Sequence, residues 1–185
     1  MHGPRMRTVN VDENREQDMN QDLIRALSVI TEEEQKILDG SPNIDTQIYT
    51  EKKELVVDSE KLLHRGKLIQ VRPHTRFVHF PRHRHNYVEV VYMCQGTTTH
   101  YIDGNKVVLQ PGDLLFLNQH SRQEILPAGK QDIAVNFIVL PEFFNTAFSM
   151  MGAEENILKE FLTGTLCGKD QQTSYLYFHV ADVLP

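Results

Sequence analysis

The chain has 185 residues, 40% of them apolar, which suffices for a sizeable core and suits one domain with an extension better than two domains. Its net charge of −6 is uneven: residues 1–60 hold 7 basic and 14 acidic side chains, a balance of −7, whereas residues 61–185 hold 12 and 11, a balance of +1. No apolar run is long enough to cross a membrane and the opening MHGPRMRTVNVDENREQ is too polar for a signal peptide, while Cys94 and Cys167 stand far apart, which argues against a disulfide framework or a thiolate zinc site; a cytoplasmic protein with two buried thiols is expected.

Residues 1 to about 18 are polar and aperiodic and read as a disordered lead-in. From Asn20 to Asp39, Leu23, Ile24, Leu27, Ile30, Ile37 and Leu38 fall at helical spacing before the stop Gly40-Ser41-Pro42, which predicts one amphipathic helix. A single helix is no helix-turn-helix, and the following IYTEKKELVVD looks extended, so no DNA reader is expected at this end. From about Tyr49 to Leu140 short β-prone runs (KLIQVRPHT, YVEVVYM, TTTHYI, KVVLQ, DLLFLN, DIAVNFIVL) alternate with turn residues and predict an antiparallel sandwich or barrel. Asp103-Gly104 suits a tight hairpin and Pro111-Gly112 the centre of a type II turn.

After Pro141 the period changes. Phe143, Phe144, Ala147, Phe148 and Met151, then Ile157, Leu158, Phe161 and Leu162, form two helical faces, too apolar to leave to solvent, so a homodimer is expected. The last segment, SYLYFHVADVLP, is apolar and β-prone, which leads us to expect further residues beyond Pro185 and one module of a longer protein. The expected organisation is a lead-in and helix over 1–47, a β-barrel over 48–141, and helices with a strand-like segment over 142–185.

Residues 61–88 carry seven Lys or Arg, five His and no acid. Solvated strand faces that discourage edge pairing explain such a strip more simply than nucleic-acid binding, and it could also greet an anion. Within and after it lies HRHNYVEVVYMCQG, residues 83–96. Read as one strand, it points His83, His85, Tyr87, Glu89, Val91 and Met93 to one face. Two imidazoles and a carboxylate can bind zinc, ferrous iron, nickel or manganese with coordination positions left open, and a single histidine facing a strand interior is more often simply hydrogen-bonded there.

The spacing His83-x-His85, three residues, Glu89, six residues, Gly96 resembles the first motif of the cupins, β-barrels of jelly-roll type. The resemblance departs at the opening glycine, replaced near Phe77, and in the second motif, GDLLFLNQHSRQEILP, where the family's proline falls on Asn118, its glycine on His120 and its metal-binding histidine on Gln123. Gln123 offers a carbonyl oxygen, a poorer ligand for a borderline metal than imidazole. Residues 83–118 are more closely similar to the N-terminal sensor domain of AraC-type transcriptional regulators, and the likeness covers roughly residues 65–145. It implies a mainly β cupin-type double-stranded β-helix with an N-terminal helix and C-terminal helices. It further implies that the barrel binds a small effector, a sugar or other polar metabolite, that helices after it make a dimer, and that DNA is bound only through a C-terminal domain outside these 185 residues.

Two functions are therefore weighed. The first is an effector-binding module with no catalytic residue and no cofactor, its ligand held by His83, His85, Glu89 and Gln123 against Tyr101 and Phe116 as apolar walls. The alternative is a metal-dependent cupin enzyme, a dioxygenase, isomerase or decarboxylase, with one divalent transition metal on His83, His85 and Glu89. No Ser-His-Asp elbow, phosphate-cradling glycine loop or Cys-His pair offers a rival chemistry.

Overall fold

A computed structural model describes residues 21–144, 159–162, 164 and 173–179. The predicted lead-in lies outside the described residues, as do Cys167, most of the region expected to form helices after Pro141, and the final residues 180–185.

The single helix expected from Asn20 to Asp39 is two. Helical residues 21–27 (α1) end at Ser28, and α2 (Glu32–Leu38) restarts after a break. The cause is local: the Thr31 hydroxyl accepts from the Glu34 backbone N–H, and the Glu34 carboxylate accepts from the Thr31 N–H. This capping box satisfies two donors that a continuous helix would have bonded internally. The stretch expected to be extended, residues 48–58, starts at the end of a 3-10 turn (Thr46–Ile48) and holds only a two-residue strand β1 (Val56–Val57), after which comes a short helix α3 (Ser59–Leu62).

Among the described residues nine further strands follow: β2 (Ile69–Pro73), β3 (Phe80–His85), β4 (Val88–Gln95), β5 (Thr98–Ile102), β6 (Asn105–Leu109), β7 (Asp113–Leu117), β8 (Gln123–Ile125), β9 (Ile133–Val139) and β10 (Tyr175–His179). They form two five-stranded sheets, ordered β1-β3-β8-β5-β6 and β10-β7-β4-β9-β2. Every pairing is antiparallel except β1 with β3. This is the mainly β, jelly-roll architecture of a cupin barrel. The barrel extends past residue 141, because β10 closes the edge of the second sheet against β7.

The turns follow their chemistry. Asp103 (φ 49°) and Gly104 (φ 89°) both take left-handed backbone in the β5–β6 hairpin, and Gly112 (φ 91°) completes the turn in which the Asp113 N–H reaches the Gln110 carbonyl. Phe77, near the place of the missing motif glycine, holds φ 69°, a conformation that a bulky side chain rarely adopts. Its ring lies 5.2 Å from the Arg76 guanidinium carbon, and its N–H donates to Ala128.

From Val88 to Val91 strand β4 is buried on both faces, whereas Tyr92 is exposed. Val88 and Val90 face outward against Phe144, Phe161, Leu162 and Leu176, while Val91 and Met93 face the interior with Ile102, Leu109, Leu115 and Leu117. The described part of the region after Pro141 thus covers the outer face of this sheet; Ala147, Phe148, Met151, Ile157 and Leu158 lie outside the described residues. Cys94, expected to be buried, is half-buried.

Candidate functional site

The strand predicted through HRHNYVEVVYM is two strands that turn a corner at Asn86 and Tyr87 and enter different sheets. The Asn86 side chain fixes the corner by accepting from the Ser59 N–H and donating to Asp58. Alternation survives the corner, so His83, His85, Tyr87 and Glu89 all reach the interior and each is at most 4% exposed. With Arg72, His74, Thr75 and Asn136 from the β2 and β9 side, and Tyr49, Val57 and Leu62 from the N-terminal segment, they line a cavity of about 40 Å³.

Glu89 is the hub. Its carboxylate accepts from Gln123 Nε2 at 2.5 Å and from Asn136 Nδ2 at 2.9 Å. The same Gln123 amide lies 3.3 Å from His85 Nε2, and its carbonyl accepts from His100 Nδ1 at 3.1 Å. His74 Nδ1 donates to Asn136 Oδ1 at 2.9 Å, and His83 Nδ1 to the Pro81 carbonyl at 2.7 Å. Among the described residues two ring nitrogens, His85 Nδ1 and His74 Nε2, are buried with no hydrogen-bond partner. Burial strips water from the imidazoles and disfavours their charged form: His85 and His100 are pushed down to about 3 by burial, and His83 to about 3 by burial and then by neighbouring His85. Burial lowers His74 as well. The rings are neutral at pH 7, and each can donate from one nitrogen and accept at the other.

The fold thus brings together His83, His85, Glu89 and Gln123. It places the two expected walls elsewhere. Tyr101 sits on the outward face of β5, 36% exposed, because inward alternation belongs to Thr98, His100 and Ile102. Phe116 points to the outer apolar layer and packs on Phe178 with ring centroids 5.8 Å apart, since Leu115 and Leu117 take the interior positions of β7. The apolar walls are instead Val57, Phe80, Ile125 and Ile138. Residue-by-residue reading missed His74, His100 and Asn136. The alternation of TTTHYI was enough to put His100 inward, whereas nothing local marks His74, which follows β2, or Asn136 on β9, since β2 and β9 meet only in three dimensions.

A resident metal, as cupin barrels imply, does not fit these residues. His85 Nε2 and Glu89 Oε2 converge to 3.3 Å. However, Gln123 stands where a further imidazole would be needed and drives its N–H into the carboxylate, and among the described residues no group of three or more His, Cys, Asp or Glu side chains is arranged to hold an ion.

Residues 69–143 match the sequence model of the AraC-like ligand binding domain. That span runs from β2 through β9 and carries every residue of the Glu89 network; it is the sensor-domain family that the sequence resembles. Among solved structures, the chain is similar to an apo ToxT variant from Vibrio cholerae strain SCE256 (11% identity, 64% of this chain and 45% of that one, TM-score 0.46). It is also similar to KdgF from Halomonas sp. (20% identity, 39% and 78%, TM-score 0.33) and to a cupin protein from Bacteroides fragilis (21% identity, 49% and 72%, TM-score 0.33). The match spans less than half of the ToxT chain. No curated protein matches the sequence.

Proposed function

We propose that this barrel binds a small polar effector, a sugar or another hydroxyl-rich metabolite, in the cavity around Glu89. In this reading the whole protein is a cytoplasmic, homodimeric transcriptional regulator whose DNA contacts come from a domain outside this chain. The observation that carries the reading is the pair of buried, unpartnered nitrogens, His85 Nδ1 and His74 Nε2, beside a buried carboxylate. Unpaired buried polar groups cost about 1 to 3 kcal/mol each, and a ligand with hydroxyls that both donate and accept recovers that cost. The neutral rings and Glu89, which accepts one amide N–H on each oxygen and keeps further acceptor capacity, suit recognition by hydrogen bonding.

The cavity of about 40 Å³ holds a few waters, far below the several hundred Å³ of usual ligand sites. Binding therefore requires the cover formed by Tyr49, Val57 and Leu62 to move. An effector that binds the open arrangement better shifts the population of the N-terminal segment, which is the coupling a sensor needs.

The test is a thermal-shift screen of sugars and polyols, followed by calorimetry on the best binder with wild type, Glu89→Gln and His85→Ala. Loss of about 1 to 3 kcal/mol of binding free energy in each variant is expected. Unchanged affinity in both would place the effector elsewhere and reject the reading.

A further inference from the structure

Outside the barrel, on outward positions of the first sheet, three arginines line one groove. Arg82 and Arg84 occupy outward positions of β3, between the inward His83 and His85, and Arg122 immediately precedes β8, which pairs with β3 through His83 and Gln123. Together with Glu54, Leu55 and His83 they line an open groove of about 250 Å³. Arg82 and Arg122 are exposed, and neither forms a salt bridge among the described residues. Arg84 is already engaged: its Nη2 donates to Glu54 Oε1 at 2.8 Å. Like charges gathered without matching acids repel one another, and planar guanidiniums present paired donors that match carboxylate and phosphate oxygens.

Glu54 is not part of the barrel. It lies two residues before β1, in the segment that covers the Glu89 cavity, and the Arg84 N–H donates to the Leu55 carbonyl next to it. Three residues beyond Glu54, Val57 forms part of the cavity wall. The Glu54 carboxylate therefore sits on Arg84 as an intramolecular anion, in a pair that joins the covering segment to β3.

We propose that the Arg82, Arg84 and Arg122 groove binds a small oxyanion of two or more negative charges, a phosphate ester or a polycarboxylate, in competition with the carboxylate of Glu54. Such an anion takes Arg84 from Glu54 and frees the segment leading to β1. Anion binding on the outside and closure of the cavity on the inside are then mutually exclusive to the extent that Glu54 holds the cover. This is a second site, distinct from the cavity, and it rests on observations of its own.

Calorimetry on the full 185-residue chain, with inorganic phosphate and with citrate as separate probes at low ionic strength, tests it. Saturable binding of at least one probe is expected, and the tighter of the two names the source, ester or polycarboxylate. Arg82→Gln plus Arg122→Gln, both at exposed positions, should weaken binding about tenfold or more, and Glu54→Gln should tighten it several-fold. The opposite signs separate the site from a general loss of folding. Neither probe binding, affinity unchanged by the arginine pair, or no gain in Glu54→Gln overturns the proposal. None of these results bears on whether sugars enter the Glu89 cavity.

Discussion

Arg76 grips Glu34 through two hydrogen bonds, Nε to Oε1 at 2.7 Å and Nη2 to Oε2 at 2.9 Å, with both side chains at most 2% exposed. The remaining guanidinium donors reach the carbonyls of Ser28, Val29 and Lys130, and the Arg76 backbone N–H also reaches Glu34. One arginine thus ties the break between α1 and α2 to the barrel. Burial opposes ionisation of Glu34, but the bonds from Arg76 and from the Thr31 backbone outweigh it and leave the carboxyl below its usual range.

Removing one partner leaves the other charged and buried. Glu34→Ala is expected to destabilise the protein by about 3 to 5 kcal/mol in denaturant titrations. Arg76→Leu together with Glu34→Leu should cost much less, because no lone charge remains. A double variant as unstable as Glu34→Ala would contradict this account.

Acid should unfold the barrel earlier than its net charge suggests. The unfolded imidazoles titrate near 6.5, whereas folded His83, His85 and His100 titrate at about 3. Between those values the unfolded chain binds more protons, so stability is whole above about pH 6.5 and is lost as the pH falls toward 3. Each ring contributes a slope of up to about 1.4 kcal/mol per pH unit. Thermal melts from about pH 7.5 down to about pH 5 should fall steeply, and less steeply in His100→Gln; a flat profile in the wild type would show that these rings are not buried neutral.

Replacing Gln123 should change the metal chemistry. Protein purified without added metal is expected to hold well under one equivalent by elemental analysis, and Gln123→His should raise affinity for zinc or nickel by adding a third imidazole beside His83, His85 and Glu89. One tightly held ion per wild-type chain, absent from His83→Ala plus His85→Ala, would instead revive the enzyme reading.

Gly96 should tolerate no side chain. Its φ is +75°, and a Cβ there would overlap Asp132 Oδ1 and lie 2.8 Å from the Gln131 carbonyl oxygen and 2.9 Å from Asp132 Cα. Asp132 itself accepts from the Thr97 and Gly129 N–H groups, so it is not free to retreat. Gly96→Ala is expected to destabilise by about 1 to 3 kcal/mol through backbone strain alone, with the clash added, readable as a lowered melting temperature.

The sequence made local chemistry visible and left tertiary partnerships hidden. The Asp103-Gly104 and Pro111-Gly112 turns were legible because glycine and proline act within four residues, and the inward set His83, His85, Glu89 was legible because alternation continues through the Asn86 corner. The break at Ser28–Thr31 was also written locally, in Thr31-x-x-Glu34, but apolar spacing on both sides concealed it. Arg76 looked like one of a strip of solvated cations, and only a partner 42 residues away makes it a buried anchor. Tyr101 and Phe116 were assigned to the cavity from their character, when the parity of their strands decides which side they face.

From Val88 to Met93 strand β4 works as one stiff bar, short of the irregularity in its pairing with β9 between Met93 and Gln95. Glu89, on its inner face, is adjacent in sequence to Val88 and Val90, whose outer faces rest on Phe144, Phe161 and Leu162. The strand is pinned along both edges, by β7 and by β9, so it cannot bend between neighbouring residues without breaking ladder bonds. A shift of the Glu89 backbone would carry Val88 and Val90 with it, and so would reach the surface formed by Phe144, Phe161 and Leu162 through the backbone itself.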